Sequence, residues 1–404
     1  PINPKARPEE IDHIRIDSGA EFEVSSLDEV ADGPAVEAPD CRPSDVAALF
    51  YTSGTTGKPK GAELTHRALT APSASGGALP SLVPRPEAVS GLPVAHIAGF
   101  SMLVSTGALG LSIYLLRRFR PDTALDAIEE RRPFMFIGVP AMYRMMIDAG
   151  AEQRDLSSVR VWASGADAMP FDLARRYQDM GSLVRIGRRS FGRAAFLDGY
   201  GMVELGGGAA IKVLPPGPPL PVMGLLGVAM PRYRLRVVDD EGGEVPRGHV
   251  GELVVSGPGV MRGYHGQAQA SGESITPDGW VRTGDLARRH RFRLIEFAGR
   301  KKDVIKHGGF SVFAAEVEHV LETHPAVAET AVVGLPDERK GQVPAAVVRL
   351  RPDAGPAPTD EDVIEWARQR LTDYKVPVRV VFVSELPRTG TDKVQKGSLV
   401  SLFG

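Results

Sequence analysis

The sequence predicts an α/β protein: a large first part built on a mostly parallel sheet, then β-rich material, then a smaller α+β region. Three observations lead there. Amphipathic helices and short apolar strands alternate between residues 121 and 170, with crossovers of the length that parallel strands need. From 224 to 264 short β patterns are separated by turn residues. Helix and strand patterns return between 313 and 383. At 404 residues the chain is long for one core, so two or more domains are expected.

Taken in order, residues 21–45 are acidic and Pro-containing and read as a connection. Residues 46–50 form an apolar run that reads as a short buried strand. It enters the stretch 51–61 (YTSGTTGKPKG), and 62–69, with Leu64, Ala68 and Leu69 on one face, reads as a short helix. Strand, Gly-rich loop and helix form a context in which backbone N–H groups converge on a phosphate. Thr52, Ser53, Thr55 and Thr56 add hydroxyls, Lys58 and Lys60 add ammonium groups, and Gly54, Gly57 and Gly61 permit close backbone approach. A flexible linker seldom places two lysines straight after a strand. A Walker loop needs Ser or Thr after its Gly-Lys, and Pro59 follows Lys58 here.

Residues 72–86 read as a loop. In the apolar stretch 91–100, His96 is either a satisfied core histidine or a reactive one. Residues 102–116 fit a core helix running into a strand at 113–116. A helix over 121–132 carries Leu125 and Ile128 on its apolar face; 134–139 is a strand, 140–149 a helix with Pro140 in its first turn, and 159–163 a strand that ends in 164–170 (SGADAMP). Ligands of such sheets bind beyond the carboxyl ends of the strands, where these Gly-bearing turns fall. Residues 181–193, with Arg185, Arg188, Arg189 and Arg193, read as a basic loop that is either simply solvated or a phosphate contact. Segments 224–227, 232–238, 251–255 and 259–264 are β-rich, with a hairpin turn at 239–243. Helices are expected at 313–321 and 359–371, the second capped by Thr359, and strands at 347–350 and 378–383.

The bulk numbers exclude several classes. Net charge is −2 and 43% of residues are hydrophobic, an ordinary globular composition. No basic block argues for nucleic acid, and no apolar run is long enough to cross a membrane. A single cysteine, Cys41, excludes an intramolecular disulfide and a Cys-based zinc site, and fits a cytoplasmic protein.

Residues 51–61 resemble the phosphate loop of the adenylate-forming superfamily, which comprises acyl-CoA synthetases, peptide-synthetase adenylation domains and beetle luciferases. Further segments follow in family order: 197–204 (LDGYGMVE), 279–286 (GWVRTGDL), 299–306 (GRKKDVIK) and 386–393 (LPRTGTDK). The resemblance covers nearly the whole chain and lies closest to acyl-CoA synthetases. It implies a nucleotide site of Thr52, Ser53, Gly54, Thr55, Thr56, Gly57, Lys58, Tyr200, Gly201, Met202, Asp285 and Arg300, with Tyr200 against adenine and Asp285 on the ribose hydroxyls. Glu204 would hold Mg²⁺, and Lys393 would neutralise carboxylate and α-phosphate during adenylation. His96 would stand beside an acyl pocket of Phe100, Val104, Ser164, Gly165, Ala166 and Gly199. A large domain, 1–301, would be followed by a small mobile one, 302–404, rotating about Lys302, with Gly308 and Gly309 lining the pantetheine tunnel. Residues 1–20 resemble a segment well inside other members, so a leading piece of the family's N-terminal domain is expected to be missing.

The implied activity is acyl-CoA synthesis from a carboxylic acid, ATP and coenzyme A through an acyl-adenylate. Two positions depart from the family. Val203 stands where the family has Thr and carries no hydroxyl, and Asp392 stands where it has Gly. Both touch adenylation, whereas the hinge and tunnel residues are intact. An adenylation half that is weak or lost, with a separate enzyme supplying a preformed acyl-adenylate, is therefore an expectation beside full two-step activity. A stand-alone domain loading a carrier-protein thiol lacks the Asp expected to grip an α-amino group, and a non-catalytic homologue is opposed by the surviving polar residues. The small and apolar pocket positions allow a bulky hydrophobic or aromatic acid.

Overall fold

A computed structural model describes residues 1–3, 6–29, 37, 39–52, 59–73, 86–186, 189–215, 224–351, 355–388 and 394–404. Packing divides the chain into two compact units, Pro1–Leu235 with Val254–Arg282, and Arg236–Leu253 with Thr283–Gly404. The expected division after residue 301 is a division by motion, which packing does not test.

The first unit opens with helix α1 (Pro8–Ser18), whose first helical residue is Pro8 and whose C-cap is the left-handed Gly19. Strand β1 (Val46–Thr52) then pairs antiparallel with β2 (Lys60–Thr65). The expected helix over 62–69 is thus half strand. Ala62 and Leu64 alternate into the core with no exposure, a period of two rather than 3.6. Only α2 (His66–Thr70) is helical, and it starts where the Thr65 hydroxyl accepts the Ala68 N–H. The Gly-rich stretch therefore connects a β-hairpin and does not open a helix. Residues 262–265 run beside β2 through backbone hydrogen bonds to Gly61 and Glu63, without forming a named strand of their own.

The alternating half follows the expectation. Strand β3 (Glu87–Ser90), helix α3 (Ile97–Ala108), β4 (Ser112–Leu115), α4 (Pro121–Arg131), β5 (Met135–Ile137), α5 (Pro140–Asp148) and β6 (Val161–Gly165) occur in that order. After α6 (Phe171–Met180), the described part of the expected loop 181–193 holds two short strands, β7 (Val184–Ile186) and β8 (Arg189–Phe191), paired antiparallel. It leads to β9 (Ala195–Tyr200), β10 (Ala210–Leu214) and β11 (Leu225–Ala229). Strands β4, β3, β5, β6 and β9 pair in parallel, and β10 and β11 continue antiparallel from β9. Under the sheet lie Phe136, Tyr143, Trp162, Tyr177 and Phe196, all unexposed. Tyr143 and Tyr177 meet edge-on at 4.7 Å. Their hydroxyls donate to the carbonyls of Ala163 and Tyr143, so these rings bury their apolar surface without leaving a polar tip unmet.

In the second unit β12 (Arg234–Val238), β13 (Val250–Ser256), β14 (Val281–Arg289) and β15 (Ile295–Arg300) are neighbours in that order; the intervening α7 (Ala268–Ser274) belongs to the first unit. The rest is α+β. Strands β16 (Val304–His307) and β17 (Phe310–Phe313) form a hairpin, and α8 (Ala314–Glu322) packs on the long β18 (Val327–Asp337) and β19 (Gly341–Leu350). Helix α9 (Asp360–Arg368) precedes β20 (Arg379–Val383), which pairs parallel with β19. Thr359 caps α9 as expected. Its hydroxyl accepts the Asp362 N–H at 3.2 Å, and the Asp362 carboxylate accepts the Thr359 N–H at 2.9 Å. Replacing Thr359 with Ala removes that box, at about 1 kcal/mol. Amides of the first α9 turn are expected to exchange with solvent hydrogen about fivefold faster; unchanged exchange would contradict the cap.

Candidate active site

In the β1–β2 ladder Thr52 stands opposite Lys60. Ser53, Gly54, Thr55, Thr56, Gly57 and Lys58 lie outside the described residues, as do Asp392 and Lys393. The base of the hairpin is closely held. Tyr51 donates its hydroxyl to the Asp17 carboxylate at 2.8 Å, and His13 donates from Nε2 to the Pro59 carbonyl at 2.9 Å. A Cβ on Gly61 would lie 3.0 Å from the Tyr51 ring. The Lys60 ammonium sits 5.4 Å above the Tyr264 ring centre.

Segment 199–206 leaves the carboxyl end of β9 and turns sharply. Gly201 is required there, since a Cβ would fall 1.5 Å from the Gly207 carbonyl oxygen. Tyr200 ends the strand, and Met202 begins a short helical turn over Val203–Leu205 that contains Glu204. Glu204 is 6% exposed, and its Oε1 accepts the Tyr264 hydroxyl at 2.8 Å. Burial, and after it the Glu204 charge, push the Tyr264 hydroxyl above its ordinary pKa, so it stays a donor. Val203 is buried in an apolar cluster with Phe50, Leu64, Ile97 and Met261. The methyl that replaces the family's hydroxyl has a packing role.

Strands β6 and β9 place Gly165 opposite Gly199 and Ser164 opposite Asp198. A Cβ on Gly165 would come 3.1 Å from the Gly199 carbonyl oxygen, so the two backbones approach as only small residues allow. Ala166 holds φ at +68°, a left-handed conformation uncommon for a residue with a side chain. The Ser164 hydroxyl is buried with no hydrogen-bond partner among the described residues. Ser164, Gly165, Ala166 and Gly199 are thus brought together at the carboxyl end of the sheet. His96 is half-buried and caps α3, its Nδ1 accepting the Ala98 N–H at 3.2 Å. Phe100 tilts onto Phe50 at 5.5 Å and joins the cluster around Val203. Val104 lies one turn further along α3, half-buried. Ser101 donates to the Gly206 carbonyl at 2.8 Å, which fastens α3 to the turn after Glu204.

In the second unit Asp285 and Arg300 are cross-strand partners on β14 and β15, with Arg300 Nε 3.4 Å from Asp285 Oδ1. Lys302 is exposed in the turn that follows. Gly308 and Gly309 form the tip of the β16–β17 hairpin with φ of +57° and +86°, which L side chains resist. His307, just before them, is buried, and its Nδ1 has no hydrogen-bond partner among the described residues. Arg388 and Val394, which flank 389–393, meet as an antiparallel bridge.

Two groups escaped the sequence reading. Tyr264 was read only as part of a β-rich segment. Asp198 and Lys212 form a buried ion pair at 2.8 Å, and burial pushes the Asp198 carboxyl up while Lys212 pulls it back. A charge inside the otherwise apolar run 195–200 was the available signal. Among the described residues no group of three or more His, Cys, Asp or Glu could hold a metal by itself. Lys212→Met leaves the Asp198 carboxylate buried without its counter-charge, and is expected to cost about 3–5 kcal/mol of stability in denaturant titration. The double variant Asp198→Asn with Lys212→Met should recover most of that loss; equal loss in both would refute a paired charge.

Comparison with known proteins gives the family. The family model described as AMP-binding enzyme matches residues 1–265, and that described as AMP-binding enzyme C-terminal domain matches 316–393. Feruloyl-CoA synthase of Amycolatopsis sp is 35% identical across 100% of this chain and 83% of its own length. Indoleacetate–CoA ligase of Aromatoleum aromaticum is 36% identical across 90% of this chain and 68% of its own. ATP-bound MatB from Rhodopseudomonas palustris superposes with a TM-score of 0.79 at 30% identity, over 91% of this chain and 70% of that one. The o-succinylbenzoate CoA synthetase of Bacillus subtilis, in complex with its acyl-adenylate intermediate, gives 0.78 at 25% identity, over 98% and 82%. With both family models matching in chain order and a relative 35% identical across the whole chain, the chain belongs to the AMP-binding, adenylate-forming enzymes, within their acid–CoA ligases.

Proposed function

We propose that this acid–CoA ligase joins a bulky aromatic or hydrophobic carboxylic acid to coenzyme A in two half-reactions, in a reducing cytosolic compartment. A carboxylate oxygen attacks the α-phosphorus of ATP, the α–β P–O bond breaks, and pyrophosphate leaves. The thiolate of coenzyme A then attacks the adenylate carbonyl, and AMP leaves. The observation that carries the CoA half is the likeness to feruloyl-CoA synthase across the full chain. The acids named for it and for the indoleacetate ligase both carry an aromatic ring. The small residues at the implied pocket positions, Ser164, Gly165, Ala166 and Gly199, favour such a ring over a pocket lined by bulky side chains.

The roles follow from charge and shape. The 52–58 stretch would hold the phosphates, Tyr200 the adenine, Asp285 the ribose hydroxyls and Arg300 the nucleotide. Lys393 would neutralise the charge that gathers at the α-phosphate. Glu204 fits a nucleotide-borne Mg²⁺, because that ion keeps most of its shell as water and phosphate oxygens and asks the protein for one or two carboxylates. When bound, the ion supplies charge neutralisation on the phosphates. Tyr264 commits one Glu204 oxygen and so orients the other. Lys302 would serve as hinge between the two half-reactions, with Gly308 and Gly309 beside the pantetheine arm.

A second reading has the adenylation half weakened, so that a preformed acyl-adenylate is used. Val203 favours it, since the position is apolar in chemistry and in surroundings. One lost transition-state donor costs roughly 2.7–4 kcal/mol, about 10²–10³ in rate. The test separates the halves with purified protein: ATP, Mg²⁺, CoA and a panel of aromatic and aliphatic acids in one assay, CoA with the matching acyl-adenylates in the other. Acyl-CoA in both is expected. Product only from the adenylates would establish the second reading, and product in neither would overturn the ligase assignment. Val203→Thr is expected to raise pyrophosphate exchange if the hydroxyl is limiting; no change would assign the valine to packing alone.

A further inference from the structure

Glu252, on β13, is 6% exposed, and its two carboxylate oxygens meet different elements. Oε1 accepts the Gly284 N–H at 3.3 Å, while Oε2 lies 3.2 Å from Lys301 Nζ. The next residue on β13 holds the same stretch of β14: the Leu253 carbonyl accepts the Thr283 hydroxyl at 2.7 Å, and the Thr283 hydroxyl oxygen accepts the Asp285 N–H at 3.1 Å. Gly284 itself has φ of +70°, and nothing lies within 4 Å of where its Cβ would be. Side-chain packing at this glycine therefore does not hold the stretch of β14 before Asp285; hydrogen bonds from β13 do.

The Lys301 arm has a different role. Its ammonium also lies 2.8 Å from Asp240, but Asp240 is 82% exposed, so that contact contributes little by itself. The buried carboxylate is where the counter-charge matters, because an ionised group out of water is stable only when met by opposite charge and donors. Lys301 directly precedes Lys302, and Arg300 pairs with Asp285. One buried carboxylate thus meets the residue before Asp285 on β14 and the residue after Arg300 at the end of β15.

We propose that Glu252 is a positioning residue for the nucleotide: through Gly284 and Lys301 it holds Asp285 in the pose that receives the ribose. This rests on the reading of Asp285 given under Proposed function. The protein is titrated with AMP by calorimetry, with KM for ATP, kcat and melting temperature measured in parallel. Glu252→Ala is expected to weaken AMP about tenfold, raising KM for ATP more than it lowers kcat. Glu252→Gln, whose amide oxygen still accepts from Gly284, should recover most of the affinity, which a merely structural loss would not predict. Asp285→Ala is the control. If it weakens AMP while Glu252→Ala does not, the positioning role falls and the ribose assignment stands. If Asp285→Ala leaves AMP binding unchanged, both fall. Should Glu252→Ala fail to fold, Lys301→Met removes the second contact of the same carboxylate; about a threefold loss of AMP affinity is expected, and unchanged affinity would overturn the proposal.

Discussion

Burying a carboxylate is the constraint on which much of this molecule turns. Asp198, Glu204, Glu252 and Glu329 are the carboxylates classed as buried among the described residues. Each would be several kcal/mol too costly without donors brought to it. The donors come from elsewhere in the chain. Tyr264 serves Glu204 across 60 positions, and Lys212 serves Asp198 from the next strand. Arg388 reaches Glu329 with both contacts from one nitrogen, at 2.7 and 2.8 Å. The need to satisfy each charge locks one segment to another at a defined distance. That is how a site built on turns acquires fixed geometry.

The parallel sheet supplies the other half of the geometry. Because β6 and β9 run side by side in the same direction, both of their Gly-bearing turns emerge at one end. Close packing then makes particular glycines obligatory. Gly201 faces the Gly207 carbonyl and Gly207 faces the Ser101 hydroxyl, so α3, the turn at 203–205 and the end of β9 form one packed group. His96 contributes to it as the cap of α3, which is neither a core histidine nor, by itself, evidence of reactivity.

Val203 illustrates how function and packing compete for one side chain. The resemblance treats the position as a lost hydroxyl. In the structure its methyls fill a cluster that also buries Phe50, Leu64 and Ile97 beneath the β1–β2 hairpin. A hydroxyl there would have to find a partner. A valine needs none, and it packs by apolar contact against residues of β1 and β2.

What the sequence determined by itself was whatever local chemistry encodes. The alternation of α4, β5, α5 and β6, the Thr359 cap and the family resemblance were all legible. Periodicity, capping and glycine placement are properties of neighbouring residues. The tertiary structure decided the rest. Residues 62–65 became strand because Ala62 and Leu64 could bury alternately against β1, outweighing a weak helical face. Strands β7 and β8 stand in the expected loop because their backbones pair, with Val184 opposite Phe191. The spacing of Leu173, Ala174 and Tyr177 on α6 and the apolar run of β18 were present in the sequence but were not read. Tyr264, Lys212, Gly284 and Lys301 carry no local sign of their partners. A buried charge selects its donors in space, and only the folded chain brings positions 204 and 264, or 252 and 301, within hydrogen-bond reach.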